Sequence, residues 1–195
     1  EMQQRRVELD IISFGVAMAS CEDGGKWEKA LQLLCDMQNL KMEPGTTSFN
    51  ATISACEKGG QWEKALELLD EMQQHGVEPD ITSFNAVINA CETSSRHRKA
   101  DQIYRRAIKA GFYAEFFGGD SNTLDLHGAS EGVANVVVRN RLQEFRSGCQ
   151  ILNDVVIVTG RGKNSSGAPV LLTSVRSFIR KVDGPTITEV ASNPG

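Results

Sequence analysis

The chain has 195 residues, 21 of them Lys or Arg and 25 Asp or Glu, for a formal net charge of −4; 40% are hydrophobic and 24% charged. That balance predicts one or two soluble domains. It excludes a membrane-spanning helix, because the longest apolar run, near Val155–Val158, is a handful of residues where about 20 are needed. The charge is uneven. Residues 1–115 hold 13 basic against 18 acidic side chains, and residues 116–195 hold 8 against 7, so neither half carries the broad basic excess usual for nucleic-acid binding. Five cysteines with no Cys-x-x-Cys pair suggest neither a disulfide framework nor a zinc site. Cys21, Cys56 and Cys91 instead recur every 35 residues within apolar helical patterns, as buried free thiols would.

That period is general. A shift of 35 aligns Ser13-Phe14 with Ser48-Phe49 and Ser83-Phe84, Trp27 with Trp62, Ala30 with Ala65 and Ala100, and Pro44 with Pro79. A shift of 70 aligns EMQQRRVELD at the start with EMQQHGVEPD at 71–80. Residues 1–10 therefore read as the tail of a repeat, followed by units 11–45, 46–80 and 81–115; the chain is expected to begin mid-repeat, with any targeting leader upstream. A fixed period of this size predicts a stacked-repeat architecture, each unit burying its apolar face against its neighbours. Within unit 46–80, Phe49, Ile53 and Cys56 form the stripe of a first helix and Gly59-Gly60 ends it. Trp62, Ala65, Leu66, Leu69 and Met72 form the stripe of a second, read as core, with Gly76 at its end and Glu78-Pro79-Asp80 turning into the next unit. In the third unit Arg96, Arg98, Lys99, Arg105, Arg106 and Lys109 crowd the second helix, either as a solvated face or as phosphate contacts.

The segment TSFNATISACEKGGQWEKALELLDEMQQHGVEPD resembles a pentatricopeptide repeat. The resemblance implies an α-solenoid of helical hairpins whose partner is single-stranded RNA, about one base per repeat. In that family the fifth and last residues of a unit choose the base. The carried-over positions are Asn50 with Asp80, a pair associated with uracil; Asn85 with Glu115; and Gly15 with Gly45, which offer no reading side chain. An amide has both donor and acceptor for a base edge, and a neighbouring carboxylate can orient it. Ile12, Thr47 and Thr82 occupy the positions that clamp the base.

After Glu115 the character changes. Residues 116–123 read as a linker, and 124–195 as a second domain. Leu124–His127 predicts a strand, 131–146 a helix, Asp154–Thr159 a β-branched strand, Gly160–Ala168 a loop, 170–181 a helix opened by Pro169, and Ile187–Val190 a further strand. The order βαβαβ predicts a small α/β layer fold. If the first two strands are parallel neighbours, both end on one edge of the sheet, His127 beside Thr159-Gly160-Arg161-Gly162-Lys163. Asp125 and His127, two apart, share one side of the strand; Arg161 and Lys163 add positive charge, and the glycines allow close backbone approach. Those residues read as a phosphate site with an imidazole beside it. GRGKNS is not a P-loop, since Asn164 stands where Ser or Thr is required.

LDLHG followed some 30 residues later by TGRGKNSSG resembles the Smr, or small MutS-related, domain, here read as cut at its C-terminal end. The resemblance implies nuclease activity involving Asp125, His127 and Gly160–Gly162; Asn164 departs from the histidine that plant members often carry there. Pentatricopeptide repeats followed by such a domain imply an organellar protein, chloroplast or mitochondrial, acting in RNA processing or stability. His127 would be its acid or base, Asp125 would orient it, and Arg161 with Lys163 would hold the phosphate. DNA and other organellar gene-expression proteins are further expected partners; a membrane and a small-molecule substrate are not. No ligand cluster indicates a cofactor, though a nuclease leaves a divalent metal open. The alternative class is a protein-binding helical scaffold with a non-catalytic docking domain, which the acidic repeats favour.

Overall fold

The structure is a computed structural model and describes residues 11–116, 123–146, 156–159 and 170–181. The chain divides between Phe112 and Tyr113 into two compact units.

The first unit is six helices: α1 (Ile11–Asp23), α2 (Trp27–Asn39), α3 (Thr46–Lys58), α4 (Trp62–Gln74), α5 (Ile81–Thr93) and α6 (His97–Lys109). Each is 13 residues long, and first and second helices alike restart every 35 residues. All six stop the same way. The residue three past the helix folds its N–H back to a carbonyl five residues earlier, as Lys26 does to Cys21, Gln61 to Cys56 and Arg96 to Cys91. Met42, Val77 and Phe112 repeat this with Met37, Met72 and Ala107. This closure needs a left-handed residue just before, where glycine is favoured because a Cβ would meet the following carbonyl. Gly25 and Gly60 supply it after α1 and α3, and Gly76 and Gly111 after α4 and α6, but Lys41 (φ 57°) and Ser95 (φ 58°) are forced into the same conformation.

The first helices pack closely on one another, α1 on α3 and α3 on α5, while each second helix packs on its own partner and α2 and α4 also pack on the next first helix. The second helices make no comparable contact among themselves. The unit is therefore two layers, with the first helices as the tight one. Phe49, Ile53, Cys56, Ala65, Leu69 and Met72 are fully buried, each large apolar side chain contributing about 1.5–3 kcal/mol of transfer free energy. The predicted core stripe needs one correction. Trp62 and Leu66 are only half-buried, and Leu68 takes the buried place instead. Trp62 remains open because it serves as a platform for the Arg96 guanidinium, 5.1 Å from the ring centroid. Its counterpart Trp27 lies so close to the Gly59 backbone that a Cβ there would collide with the indole.

In the second unit a short 3-10 turn, Ala114–Phe116, precedes β1 (Thr123–Asp125), α7 (Glu131–Arg146), β2 (Val156–Val158) and α8 (Val170–Lys181). β1 and β2 are parallel neighbours, with Thr123 opposite Val156 and Asp125 opposite Val158. The two helices keep their sequence-predicted bounds. β1 ends two residues before the predicted His127 and β2 one before the predicted Thr159, although Leu126 still donates its N–H to Val158 at 2.7 Å, one rung beyond β1; Asp154 and Val155 lie outside the described residues. α7 carries Val136-Val137-Val138, a β-branched run that lowers helix propensity, and all three are buried with Val133 and Ala134. Burial, not propensity, holds it. α8 packs on α7 and buries Val175 and Ile179. The described residues thus give the order βαβα around a two-stranded parallel pair; Ile187–Val190 and Gly160–Ala168 lie outside them.

Candidate nucleic-acid interface

Asn50 is the fifth residue of α3, on the tight layer, and is half-buried. Its Nδ2 donates to both carboxylate oxygens of Asp80, 30 residues away, at 3.0 and 3.1 Å. Asp80 is also the N-cap of α5. It accepts the Ser83 N–H at 2.9 Å while its own N–H is accepted by Ser83 Oγ at 3.1 Å, a reciprocal capping box. Ser83 Oγ in turn donates to Asn50 Oδ1 at 2.5 Å. Burial alone would push the Asp80 carboxyl up. The Ser83 N–H, the Asn50 amide, the Ser83 hydroxyl and the Thr82 N–H together outweigh it and hold the carboxyl below its ordinary 3.8. At neutral pH Asp80 is an acceptor-only carboxylate, so the Asn50 NH2 must face it. One N–H and one lone pair of the amide are left over, the complement of a nucleobase pairing edge.

In the second unit His127 follows β1 and is 73% exposed. Its Nδ1 lies 2.7 Å from Asp125 Oδ1, which also accepts the His127 backbone N–H at 3.1 Å. That N–H and the ring contact hold Asp125 below its ordinary value against a small burial penalty, with His127 charge adding to the effect. A carboxylate cannot donate, so the proton of the neutral ring sits on Nδ1, and Nε2 is the basic atom. β2 ends at Val158 alongside β1, which brings Thr159 to the same edge of the pair as His127. Gly160, Arg161, Gly162 and Lys163 lie outside the described residues. Among the described residues no cluster of His, Cys, Asp and Glu could hold a metal ion, and no helix is long and apolar enough to cross a membrane.

Comparison with known families gives three overlapping matches: a pentatricopeptide repeat domain over residues 1–59, the PPR repeat family over 44–93, and a PPR repeat over 82–112. The helical unit belongs to the pentatricopeptide repeat family. The three matches end at residue 112, the last of the first unit. Among curated proteins none matches the chain by sequence. Solved structures that share the fold include two of the pentatricopeptide repeat protein PPR10 in complex with an 18-nucleotide psaJ RNA element, one of them carrying three Cys-to-Ser changes. Each is 13% identical, covers 77% of this chain and aligns with a TM-score of 0.54. PPR10 from maize covers 92% of this chain at 16% identity and a TM-score of 0.36. The chain spans 22% of the length of the two RNA-bound chains it matches.

The other reading positions of the pentatricopeptide repeats are unequal. A Cβ at Gly15 or at Gly45 would meet nothing within 4 Å, so that pair leaves open space where the next repeat has its amide and carboxylate. Asn85 occupies the same register on α5 and is half-buried; Glu115 falls in the second unit's 3-10 turn, and its side chain is not among those described. Ile12, Thr47 and Thr82, the clamp positions, are all exposed. On α6, Arg98, Lys99, Arg105 and Lys109 are exposed, whereas Arg106 is tied to Asp70 of the preceding repeat at 2.6 Å and Arg96 to Trp62. Two of the six predicted cations therefore have inter-repeat roles. Sequence reasoning passed over Ser83, although the Asp80-x-x-Ser83 spacing is a helix-start signal that would have found it.

Proposed function

We propose that the pentatricopeptide unit binds single-stranded RNA and that Asn50 reads one nucleotide of it, preferring uracil. The observation that carries this reading is the hydrogen bonding of the Asn50 Nδ2 to both Asp80 carboxylate oxygens, which, shared from one N–H, leaves one donor and one acceptor beside it. Support comes from the fold shared with a protein solved around RNA. The acidic balance of the repeats argues that affinity rests on base and stacking contacts more than on charge, with the exposed cations of α6 as the local exception. We further propose that the second unit is a small MutS-related nuclease module. Asp125 fixes the His127 ring so that Nε2 can take or give a proton at the scissile phosphodiester, and Arg161 and Lys163 hold the phosphate. The chain would then act on RNA processing or stability in a chloroplast or mitochondrion.

Titration with ten-nucleotide oligo(U) at 50 and 200 mM salt tests the binding, with saturable association that weakens as salt rises as the expected result. Replacing Asn50 by Ala should weaken it. No association at low salt would instead favour a protein-binding scaffold. For the nuclease, a His127→Ala protein that cleaves RNA as fast as the parent removes His127 from the chemistry.

A further inference from the structure

The Asn50 amide has two faces to satisfy, and Asp80 satisfies only one. The other is met by Ser83, a fully buried hydroxyl on the third residue of α5, in the following repeat. Two oxygens 2.5 Å apart must share a proton, so the single Ser83 hydroxyl proton points chiefly at Asn50 Oδ1, with Asp80 Oδ1 a weaker secondary acceptor at 3.1 Å. Asn50 Oδ1 carries no hydrogen of its own, which leaves Ser83 as the donor.

We infer that Ser83 is a specificity-determining residue: it locks the Asn50 amide against flipping and so fixes which of its atoms donates to the base. The inference rests on the RNA-reading function proposed for Asn50. A side-chain amide can turn over, exchanging oxygen for nitrogen at almost no cost in shape. In one orientation it presents an acceptor and a donor in the order that uracil's imide N–H and carbonyl complement; turned over, it presents the reverse order, which suits cytosine's ring nitrogen and amino group. Asp80 disfavours the turned form by repelling an oxygen. Ser83 disfavours it again, because its proton would then face an NH2 group. The lock spans two repeats, since amide and hydroxyl stand 33 residues apart.

The preceding repeat is an internal control. Ser48 occupies the register of Ser83 and is almost as buried, but the positions it would serve are Gly15 and Gly45, with no amide to hold. The same hydroxyl is therefore consequential at Ser83 and idle for reading at Ser48.

The test is affinity for ten-nucleotide oligo(U) and oligo(C), measured on the whole chain for the parent and for Ser83→Ala, Ser83→Thr and Ser48→Ala. Ser83→Ala should cut the U-over-C preference about three- to tenfold, chiefly by improving oligo(C) binding, as the loss of one orienting hydrogen bond implies. Ser83→Thr keeps the hydroxyl and should retain the preference; Ser48→Ala should not move it. Should Ser83→Ala melt below the assay temperature, Ser83→Cys, of similar volume but with a weak donor, takes its place with the same expectation. An unchanged preference in the Ser83 variant overturns the inference while leaving the reading function intact. A parent that binds neither oligomer, or both equally, overturns that function and the inference with it. An equal loss of preference in Ser48→Ala, where there is no amide to hold, would show that the effect does not act through Asn50 and would also overturn the proposal.

Discussion

Asp80 has two jobs, and two substitutions separate them. As N-cap of α5 it satisfies the Ser83 N–H, and as a carboxylate it holds the Asn50 amide at 3.0 and 3.1 Å. Asp80→Ala removes both. Loss of an N-cap costs about 1 kcal/mol. The amide is half-exposed and can turn to water, so its lost bonds add only about 0.5–1 kcal/mol. The total is about 1.5–2 kcal/mol, read from the urea midpoint of helix loss. Asp80→Asn keeps the cap, because Asn is as good there as Asp, and should stay within about 0.5 kcal/mol of the parent. It gives up the charge, so its preference for oligo(U) should fall though its fold does not. The two proteins should also part in acid. The Asp80 carboxyl is held below 3.8, so its contribution is complete above that value and is lost as pH falls through the lower folded-state value. The parent should therefore lose stability below about pH 4 in a share that Asp80→Asn does not. An Asp80→Asn protein as unstable as Asp80→Ala would refute the capping argument; a parent and Asp80→Asn with parallel acid profiles would refute the carboxylate argument.

Three further outcomes are expected. Lys41→Gly and Ser95→Gly should each stabilise the helical unit by about 0.5–1 kcal/mol, the left-handed penalty of a non-glycine residue less the added chain entropy of glycine; a drop in urea midpoint would contradict this. Burial pushes the Cys56 and Cys91 thiols up to about 11, Lys64 and Lys99 opposing it slightly and Glu92 adding to it at Cys91. At pH 8, mass spectrometry should therefore find exposed Cys35 alkylated by iodoacetamide well before either. Finally, NMR titration should place the Asp125 carboxyl below 3.8 and return it toward that value in His127→Ala, since the His127 ring supplies one of its donors; an unmoved titration would dissociate the pair.

The helical unit was legible because its information is local and repeated. Apolar spacing in one hairpin fixes two helices, and three copies average out the irregular residues, so every helix of the unit begins where the 35-residue period puts it. What escaped was contact across repeats. Trp62 looked like core because its spacing matches Ala65 and Leu69, yet one face of the indole is taken by Arg96, 34 positions on. Arg106 looked like part of a solvated face until Asp70 was seen against it. Asn50 and Asp80 were found through resemblance, and their hydrogen bond could not have been read from spacing alone; Ser83 was hidden by its ordinary role at a helix start. In the second unit hydropathy located β1, β2 and both helices, and the two-residue spacing of Asp125 and His127 put them on one side. Strand ends shifted because a rung depends on a partner, which hydropathy does not record.

Gly15 and Gly45 leave a vacancy in the register that Asn50 and Asp80 fill one repeat later, and the third member, Ser48, is already in place. If RNA runs along this array, that repeat is a wildcard, spacing its neighbours without choosing a letter. Asparagine at 15 and aspartate at 45 would meet open space and ordinary backbone, so a second legible letter is two substitutions away.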